Sequence, residues 1–182
     1  MKKIFSFLIL IPFFFVQAKT HLEGGHLEAT IHLDPAGVFF AQTKGLSGYA
    51  FINKGKLKST PIQVDLTSII TGKELRDQHL QDKLLTQKYP VAVLRKIKLS
   101  EKGNGIGELE VYGKKIKIKF NFKKREDKQE IEANFILSLK KLGINEISYL
   151  GVTVEDEVEI LVGIPLHLEG HTNLQKPKRI TQ

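Results

Sequence analysis

The stretch 71-TGKELRDQHLQDKLLTQKYP-90 is the one clear helical segment in a chain that otherwise alternates apolar and polar residues like β-strands. Thr71 and Glu74 have the spacing of a capping box, in which the hydroxyl and the carboxylate satisfy free backbone amides of the first turn. Proline disfavours helical geometry in the residue before it, so Tyr89-Pro90 is expected to end the helix. The sequence therefore predicts a single helix between two sets of strands.

One face of this predicted helix is apolar. Leu75, Leu80 and Leu84 are expected to share that face, whereas the charged residues between them point mostly elsewhere. A helix with one apolar stripe rests on a larger hydrophobic body, which the strands have to provide.

Residues 1–18 have the layout of an export signal. A charged start at Lys2-Lys3 leads into an apolar run that reaches Val16, and a small-residue cleavage site ends at Ala18. The run is too short to span a bilayer, which needs about 20 apolar residues. We expect cleavage after Ala18 and a mature protein that is periplasmic or secreted.

The mature chain is expected to be one domain. Its 164 residues (182 minus 18) can bury a sizeable core, which we place at about 26–168, followed by a flexible tail at 169–182. The chain has no cysteine, so packing alone has to hold the fold. Its formal charge falls from +8 to +6 with the two lysines of the signal, but the lysines are spread over alternate strand positions, which argues against a nucleic-acid partner.

Three strands are expected before the helix, around residues 25–33, 37–52 and 60–66. Gly45 and Gly48 give the second of them places to bend or bulge. The third alternates cleanly and runs directly into the helix.

An antiparallel meander is expected after the helix, with strands at 91–99, 106–112, 115–123, 130–139 and 154–168. The turn 102–105 contains the glycines and asparagine that a hairpin requires. In strand 115–123 isoleucine and phenylalanine alternate with lysine, so one side is buried and the other is wet. The acidic residues of strand 130–139 are expected to lie opposite this lysine row and to help set the register.

About eight one-sided strands and one helix predict an all-β fold, either an antiparallel barrel or a strongly curved sandwich. The inward side chains are Ile, Val, Leu and Phe with hardly a polar interruption, so a cavity between them would be dry and suited to a hydrocarbon. Most apolar faces are plain core, however. Periodicity alone therefore favours a barrel filled by its own side chains over a hollow one.

The chain also carries a series of short motifs. They are Thr71-Gly72, Arg76-Asp77, His79-Leu80 and Tyr89-Pro90, then Gly107-Glu108-Leu109 with Gly113, then Leu142-Gly143-Ile144 and Tyr149-Leu150-Gly151-Val152 before a valine-rich last strand. Together they resemble the YceI family of exported lipid-binding proteins over about residues 26–168, with the helix motif as the specific part. Two departures are Ala41-Gln42-Thr43, where many members have a histidine, and Leu142, where phenylalanine is common.

The resemblance implies a lipocalin-like antiparallel β-barrel of about eight strands, extended and capped by the helix. Its interior would take a long isoprenoid or a similar amphiphilic chain. The resemblance also implies a binder or carrier rather than an enzyme, and no cofactor. The departures leave the identity and the length of the ligand open.

The expected ligand-binding residues come from inward strand positions and from the helix at the mouth. They are Phe40, Phe51, Leu66, Arg76, His79, Ile118, Phe120, Phe135, Leu137, Ile160 and Val162. Arginine is well shaped for a phosphate, so Arg76 with neighbouring lysines is placed to meet a phosphate or quinone head group. The alternative for Arg76 and Asp77 is structural, either an ion pair that anchors the helix or bonds to strand backbone, and for His79 it is packing or capping.

Catalysis and metal binding have weak support. No serine lies in a nucleophile elbow, and Asp77 and His79, two residues apart on a helix, point in different directions. Four histidines come together if the first and last strands are neighbours: His21, His26, His167 and His171. Their spacings match no recognised site, so we expect solvated histidines and no metal.

Two functions from different classes remain. One is a carrier or scavenger of an isoprenoid-class lipid, such as a polyisoprenoid or an isoprenoid quinone; the other is a stress-related structural or interaction module with a filled barrel. The basic tail 176–179 leaves peripheral contact with anionic membranes open. The oligomeric state, including a homodimer, stays open as well.

Overall fold

The structure, a computed structural model, describes residues 25–145, 147–149 and 151–167. The predicted signal peptide and the predicted tail lie outside these residues. The described chain forms twelve β-strands and one α-helix. They are β1 (His26–Asp34), β2 (Gly37–Thr43), β3 (Leu46–Ser47), β4 (Ala50–Asn53), β5 (Lys56–Ser59), β6 (Ile62–Asp65), α1 (Glu74–Lys83), β7 (Val91–Leu99), β8 (Asn104–Val111), β9 (Lys114–Arg125), β10 (Glu130–Ser138), β11 (Ser148–Tyr149) and β12 (Val152–His167).

The strands form one antiparallel sheet with the order β2-β1-β12-β10-β9-β8-β7-β6-β3. Its two edge strands, β2 and β3, are consecutive in the chain and only two residues apart. They are the halves of one bent segment, so the sheet wraps into a nearly closed barrel. With β2 and β3 counted as one strand, the barrel has eight strands, which are called its staves. The predicted barrel is confirmed. A hairpin of β4 and β5 adds to the end of β12, where Leu166 pairs with Ala50 in parallel.

The bent segment closes the barrel at Gly45. Main-chain groups of Gln42 and Ile70 exchange two hydrogen bonds of 2.8 and 2.9 Å, and the carbonyl of Gly45 accepts one of 2.8 Å from the N–H of Asp65. A Cβ at Gly45 would lie 2.3 Å from Oγ of Ser68. The bend predicted from the glycine therefore occurs, and it requires a residue without a side chain.

The strands after the helix follow the predicted pattern closely. β7 has the predicted bounds, and β8, β9, β10 and β12 differ from prediction by a few residues at their ends. The alternation within β9 is also as expected, because Ile118 and Phe120 are buried while Lys117 and Lys119, which alternate with them, are exposed. The apolar faces of the strands meet inside the barrel and form its core.

The helix differs from its prediction at its start. α1 begins at Glu74, and its N-cap residue, Lys73, makes no capping hydrogen bond with its side chain. The predicted capping box is therefore wrong. Thr71 lies two residues before the N-cap and instead donates from its N–H and Oγ1 to Oδ1 of Asp77, at 2.6 and 2.5 Å. This pair, rather than Glu74, ties the start of the helix to the preceding chain.

The apolar face and the end of the helix also need correction. Leu75 is 66% exposed. It precedes Leu80 by five residues, and on a helix of 3.6 residues per turn this spacing puts the two side chains on different faces. Leu80 and Leu84 do pack against the core. The helix ends at Lys83, seven residues before Pro90, and Leu85 then takes a left-handed conformation with φ of 50°. Among the described residues no helix is long and apolar enough to cross a membrane.

Opposite charges lie across the pairing of β9 with β10, as predicted. Glu132 lies opposite Lys123, and its carboxylate is 2.6 Å from Nζ of Lys123 and 3.0 Å from Nη1 of Arg125. The hydrogen bond from Lys123, assisted by the charge of Arg125, holds the pKa of Glu132 below its ordinary value of 4.5. The two strands pair only as far as Asn121 and Asn134. Beyond that point β9 continues with β8, and β10 continues with β12.

We predict that Glu132→Gln lowers the free energy of unfolding at neutral pH by up to about 1 kcal/mol, because the ion pairs are lost. A carboxyl whose pKa is lowered by folding stabilises the protein above its unfolded pKa, and this contribution is lost as the pH falls through the folded pKa. The difference between wild type and variant in urea unfolding should therefore be full above about pH 5 and shrink in more acidic solution. Glu101→Gln, in an exposed turn, is the control. A difference that is the same at neutral and acidic pH would contradict the assignment.

Candidate functional site: an apolar cavity

The barrel encloses a cavity of about 810 Å³. Its wall is formed by the inward side chains of the staves, by the loop after β10 and by one face of α1. All wall residues are apolar except five, which are Ser59, Arg76, His79, Lys83 and Ser148. This volume falls within the range of about 300–1,000 Å³ that small-molecule sites have in proteins. Periodicity alone favoured a barrel filled by its own side chains, and this cavity shows that the interior is not filled.

The interior is hollow because small residues occupy inward positions around the barrel. Ala29, Ala41, Ala92 and Ala133 lie on the wall and belong to four different staves. An inward alanine leaves open the space that a leucine or phenylalanine would fill. The larger apolar side chains between these alanines line the rest of the cavity.

Glycine at one position keeps an aromatic ring against the wall. Phe120 on β9 pairs with Gly105 on β8, and a Cβ at Gly105 would lie 2.3 Å from two carbons of the Phe120 ring. The ring therefore occupies the place of the missing side chain and lies over the neighbouring strand. The lumen next to it stays open.

The wall is not continuous where β9 and β10 stop pairing. Phe120 and Phe135, on the two sides of this split, line both the inner cavity and a groove on the outer face of the sheet. The next residue, Ile136, points to the outer face and is 60% exposed. The side of the barrel therefore exposes apolar surface where β9 and β10 separate.

The structure brings nine of the eleven predicted ligand-binding residues together on the cavity wall. They are Leu66, Arg76, His79, Ile118, Phe120, Phe135, Leu137, Ile160 and Val162. Their contact with a ligand stays a prediction, but their common location follows from the alternation of the strands and from the position of α1.

Phe40 and Phe51 lie off the wall, which corrects their predicted placement. Phe40 is 48% exposed and pairs with Thr30 on the outer face, while its neighbour Phe39 points inward. Adjacent residues of a strand point to opposite faces, and the run of two phenylalanines does not say which one is inside. Phe51 belongs to the β4–β5 hairpin beside the barrel, where its ring lies 5.8 Å from that of Tyr49.

The helix contributes the polar part of the wall. Arg76, His79 and Lys83 lie on the same side of α1 as Leu80 and Leu84, because residues three, four and seven apart are neighbours on a helix. The guanidinium carbon of Arg76 is 4.5 Å from the centre of the Phe39 ring, within the range of a cation–π contact. None of the ten residues of α1 is buried.

The contacts of Asp77 and of the described histidines bear on the roles predicted for them. Asp77 is bonded to Thr71 and forms no ion pair with Arg76, so the anchoring pair considered from sequence is not the one present. His79 lines the cavity, whereas Asp77 accepts hydrogen bonds from Thr71 and lies off the wall. His26 contacts Glu130 at 3.8 Å, whereas the ring of His167 lies 4.5 Å from that of Tyr49.

The described residues contain no group of three metal-ligating side chains. His21 and His171, the other two histidines of the cluster considered from sequence, lie outside the described residues.

Sequence reasoning missed two wall residues that matter for the site. The sequence analysis placed Phe40 on the wall instead of Phe39, and only the pairing of β2 with β1 shows which of the two points inward. Lys83 lies seven residues after Arg76 and four after His79, so helical spacing alone was a sufficient signal.

We predict that Gly105→Ala lowers the free energy of unfolding by about 1–3 kcal/mol, because the new Cβ meets the Phe120 ring. Phe120→Leu in the same chain removes the ring and should recover part of that loss. Thermal or urea unfolding of both single variants and of the double variant measures the coupling between the two sites. Strictly additive effects would show that the ring does not depend on the glycine.

Fold and site together define a hollow antiparallel β-barrel whose apolar cavity is lined on one side by Arg76, His79 and Lys83 of the helix. A comparison with models of protein families matches the YceI-like domain over residues 18–166. The chain belongs to the YceI-like family. No curated protein matches it.

Solved structures with the same fold have low sequence identity. Burkholderia cenocepacia BcnA aligns over 76% of this chain and 94% of its own, with a TM-score of 0.61 and 14% identity. A polyisoprenoid-binding domain from Saccharophagus degradans aligns over 76% and 91%, with a TM-score of 0.51 and 15% identity. A mutant of the Campylobacter jejuni YceI protein aligns over 68% and 81%, with a TM-score of 0.51 and 17% identity. At these identities the likeness shows the shared fold.

Proposed function

We propose that this protein is a non-catalytic binding protein that holds the chain of an isoprenoid-type amphiphilic lipid in the cavity of its barrel. The observation that carries the proposal is the cavity itself, about 810 Å³ with an almost entirely apolar wall. A dry apolar cavity offers nothing to a polar solute, whereas it removes hydrocarbon from water.

The energetics favour a long chain. Burying one methylene-sized group recovers about 0.8 kcal/mol, so a five-carbon isoprene unit recovers about 4 kcal/mol. Association costs about 4–15 kcal/mol in lost freedom of motion. The free energy gained by burying one or two units is therefore close to the cost of association. Chains of several units bind tightly without any specific contact to the chain.

The comparisons support the same class of ligand. The matched domain of Saccharophagus degradans is described as polyisoprenoid-binding, and this chain shares its fold. The side chains on the wall also favour binding over catalysis, since they are hydrocarbon apart from two serines, an arginine, a lysine and His79, and Asp77 lies off the wall, bonded to Thr71.

We further propose that the protein is exported, on the layout of residues 1–18. A long isoprenoid has no solubility in the aqueous space outside the cytoplasm, so an exported carrier would have a defined task there. The competing function, an interaction module without cargo, has no comparable support from the interior of the barrel.

The direct experiment is organic extraction of the protein purified from its native host, followed by mass spectrometry of the extract. We expect a prenyl chain in stoichiometric amount. Protein that stays empty, and that also fails to take up a defined prenol in solution, would overturn the proposed function.

A side chain that fills the cavity should weaken binding without unfolding the barrel. We predict that Ala133→Phe lowers the affinity for a long-chain prenol by roughly tenfold or more, because the ring enters space that the chain needs. Asn134→Phe is the matched control, since it adds the same ring on the exposed face one residue along β10. Ala29→Phe, on the opposite side of β12, is a second filling variant. Fluorescence titration of the purified variants, with circular dichroism to check the fold, measures the effect.

Undiminished binding in both filled variants would place the ligand elsewhere on the protein.

A further inference from the structure

The sheet is split on one side of the barrel. The pairing of β9 with β10 ends at Asn121 and Asn134, and from there each strand continues with its other neighbour only. We call the stretch that follows the split; it runs between residues 115–120 of β9 and 135–138 of β10. At its far end the turn after β10 packs against β9 and buries Leu142 in the core.

The cavity and the outer groove meet at the split. The groove has a volume of about 1200 Å³ and lies on the outer face of the sheet. Four residues line both the groove and the cavity, namely Leu99, Phe120, Phe135 and Ile160. Phe120 and Phe135 would be the next pair if the ladder continued. At the split, side chains rather than a hydrogen-bonded ladder therefore separate the cavity from solvent.

The split can widen without breaking the sheet. Paired strands are joined by main-chain hydrogen bonds, and separating them leaves those groups without partners. β9 and β10 do not pair along the split, so moving them apart breaks none of these bonds. A hydrocarbon chain that passes between them has to displace only side chains, of which the rings of Phe120 and Phe135 are the largest.

The outer face beside the split is basic. The outward side chains of β7, β8 and β9 include six that are positively charged at neutral pH and two that are negatively charged. The six are Arg95, Lys96, Lys98, Lys115, Lys117 and Lys119, and the two are Glu108 and Glu110. Both glutamates form ion pairs within this set, whereas Lys98, Lys117 and Lys119 form no ion pair with a described residue.

An exposed isoleucine lies between two of these lysines. Lys98, Ile106 and Lys119 are directly opposite one another on β7, β8 and β9, and Ile106 is 49% exposed. Ile136, on the other border of the split, is also exposed, and all four residues line the groove. Apolar side chains flanked by lysines suit the surface of an anionic bilayer, because the former enter the acyl region while the latter contact the head groups.

The acidic residues of the groove lie on its other flank. Glu28 of β1 accepts a hydrogen bond from Gln42, and Glu159 of β12 is 3.6 Å from Nε2 of His32. In the sheet, β10 lies between their strands and β9. The flank formed by β7, β8 and β9 is therefore the one suited to a negatively charged surface.

We propose that the basic face of β7–β9 docks on an anionic bilayer with Ile106 and Ile136 inserted, and that the ligand's hydrocarbon chain passes between bilayer and cavity through the split. The proposal rests on the proposed function and adds the partner from which the chain is taken and the side of the barrel where it is exchanged. A chain that moves this way stays against apolar surface and does not cross water. The exposed isoleucines favour a bilayer over a nucleic acid, which offers no hydrocarbon phase.

Docking is tested by co-sedimentation of the lipid-free protein with vesicles of phosphatidylcholine, with or without phosphatidylglycerol. We expect binding only where the anionic lipid is present, and release by added salt. Lys98→Gln together with Lys119→Gln should weaken this binding by roughly ten- to thirtyfold. Lys56→Gln with Lys58→Gln is the matched control, since both lysines are exposed on β5 and line neither the groove nor the cavity.

The apolar part of the surface is tested separately. Ile106→Ser and Ile136→Ser should each weaken binding to anionic vesicles by roughly five- to tenfold, because an inserted isoleucine loses contact with water. Leu75→Ser, which changes an exposed leucine of α1, should leave binding unchanged. Loss of binding in the Leu75 variant, with full binding in both isoleucine variants, would assign docking to the helix and overturn the proposal.

A cross-link across the split tests the route of the chain. The protein has no cysteine, so Lys119→Cys with Ile136→Cys provides one pair that a flexible bis-maleimide can join. We expect the cross-linked protein to take up radiolabelled geranylgeraniol from vesicles at least roughly tenfold more slowly than the same variant before cross-linking, with unchanged affinity at equilibrium. Asn104→Cys with Asn121→Cys is the control, since it joins β8 to β9 where they already pair and should leave the rate unchanged.

Uptake of geranylgeraniol from solution separates this proposal from the proposed function. Protein that takes up the prenol but does not bind anionic vesicles, or that exchanges at the same rate with and without the cross-link, would overturn the docking surface and leave the lipid function standing. Protein that takes up no prenol from solution or from vesicles would overturn the proposed function itself. Vesicle binding that RNA competes away and that both isoleucine variants retain would assign the basic face to a polyanion and overturn the proposal.

Discussion

Closure of the sheet at Gly45 is the constraint on which the other features depend. The chain leaves its pairing with β1, bends, and within two residues begins to pair with β6. The bend brings the backbone of Gly45 against Asp65 and Ser68 with no room for a Cβ. An unclosed sheet of these strands would expose its apolar face, because the described helix is too short to cover it. Closure turns that face into an interior, and small inward residues keep the interior hollow.

The site divides its work between the sheet and the helix. The strands supply an apolar wall, and the burial of hydrocarbon against such a wall depends on area and not on chemical identity. The helix buries none of its residues and brings Arg76, His79 and Lys83 to the cavity while they stay in contact with water, which keeps the cost of holding their charges low. Leu80 and Leu84 pack against the core of the barrel, and Arg76 lies over the Phe39 ring.

Much of the fold was readable from local patterns. Strict alternation in β9 and β10 assigned an inner and an outer face, and the charges of Lys123 and Glu132 indicated their register. Patterns failed where two assignments were locally equivalent. Phe39 and Phe40 are the same residue type side by side, and Thr71 is as good a partner for Asp77 as it is for a free amide. The choice between the phenylalanines depends on how β2 pairs with β1, and the choice at Thr71 depends on where the helix begins.

By itself the sequence determined the strand-rich class, the position of the single helix, the bend at Gly45 and most of the residues that face inward, because each of these follows from short-range periodicity or from glycine. Only the tertiary structure decided that the barrel is hollow and that the helix face with Arg76, His79 and Lys83 lines its cavity. A void depends on the summed volumes of side chains from many strands, and the face that a helix turns towards the cavity depends on how it lies across those strands. Neither quantity is carried by any one segment of the chain.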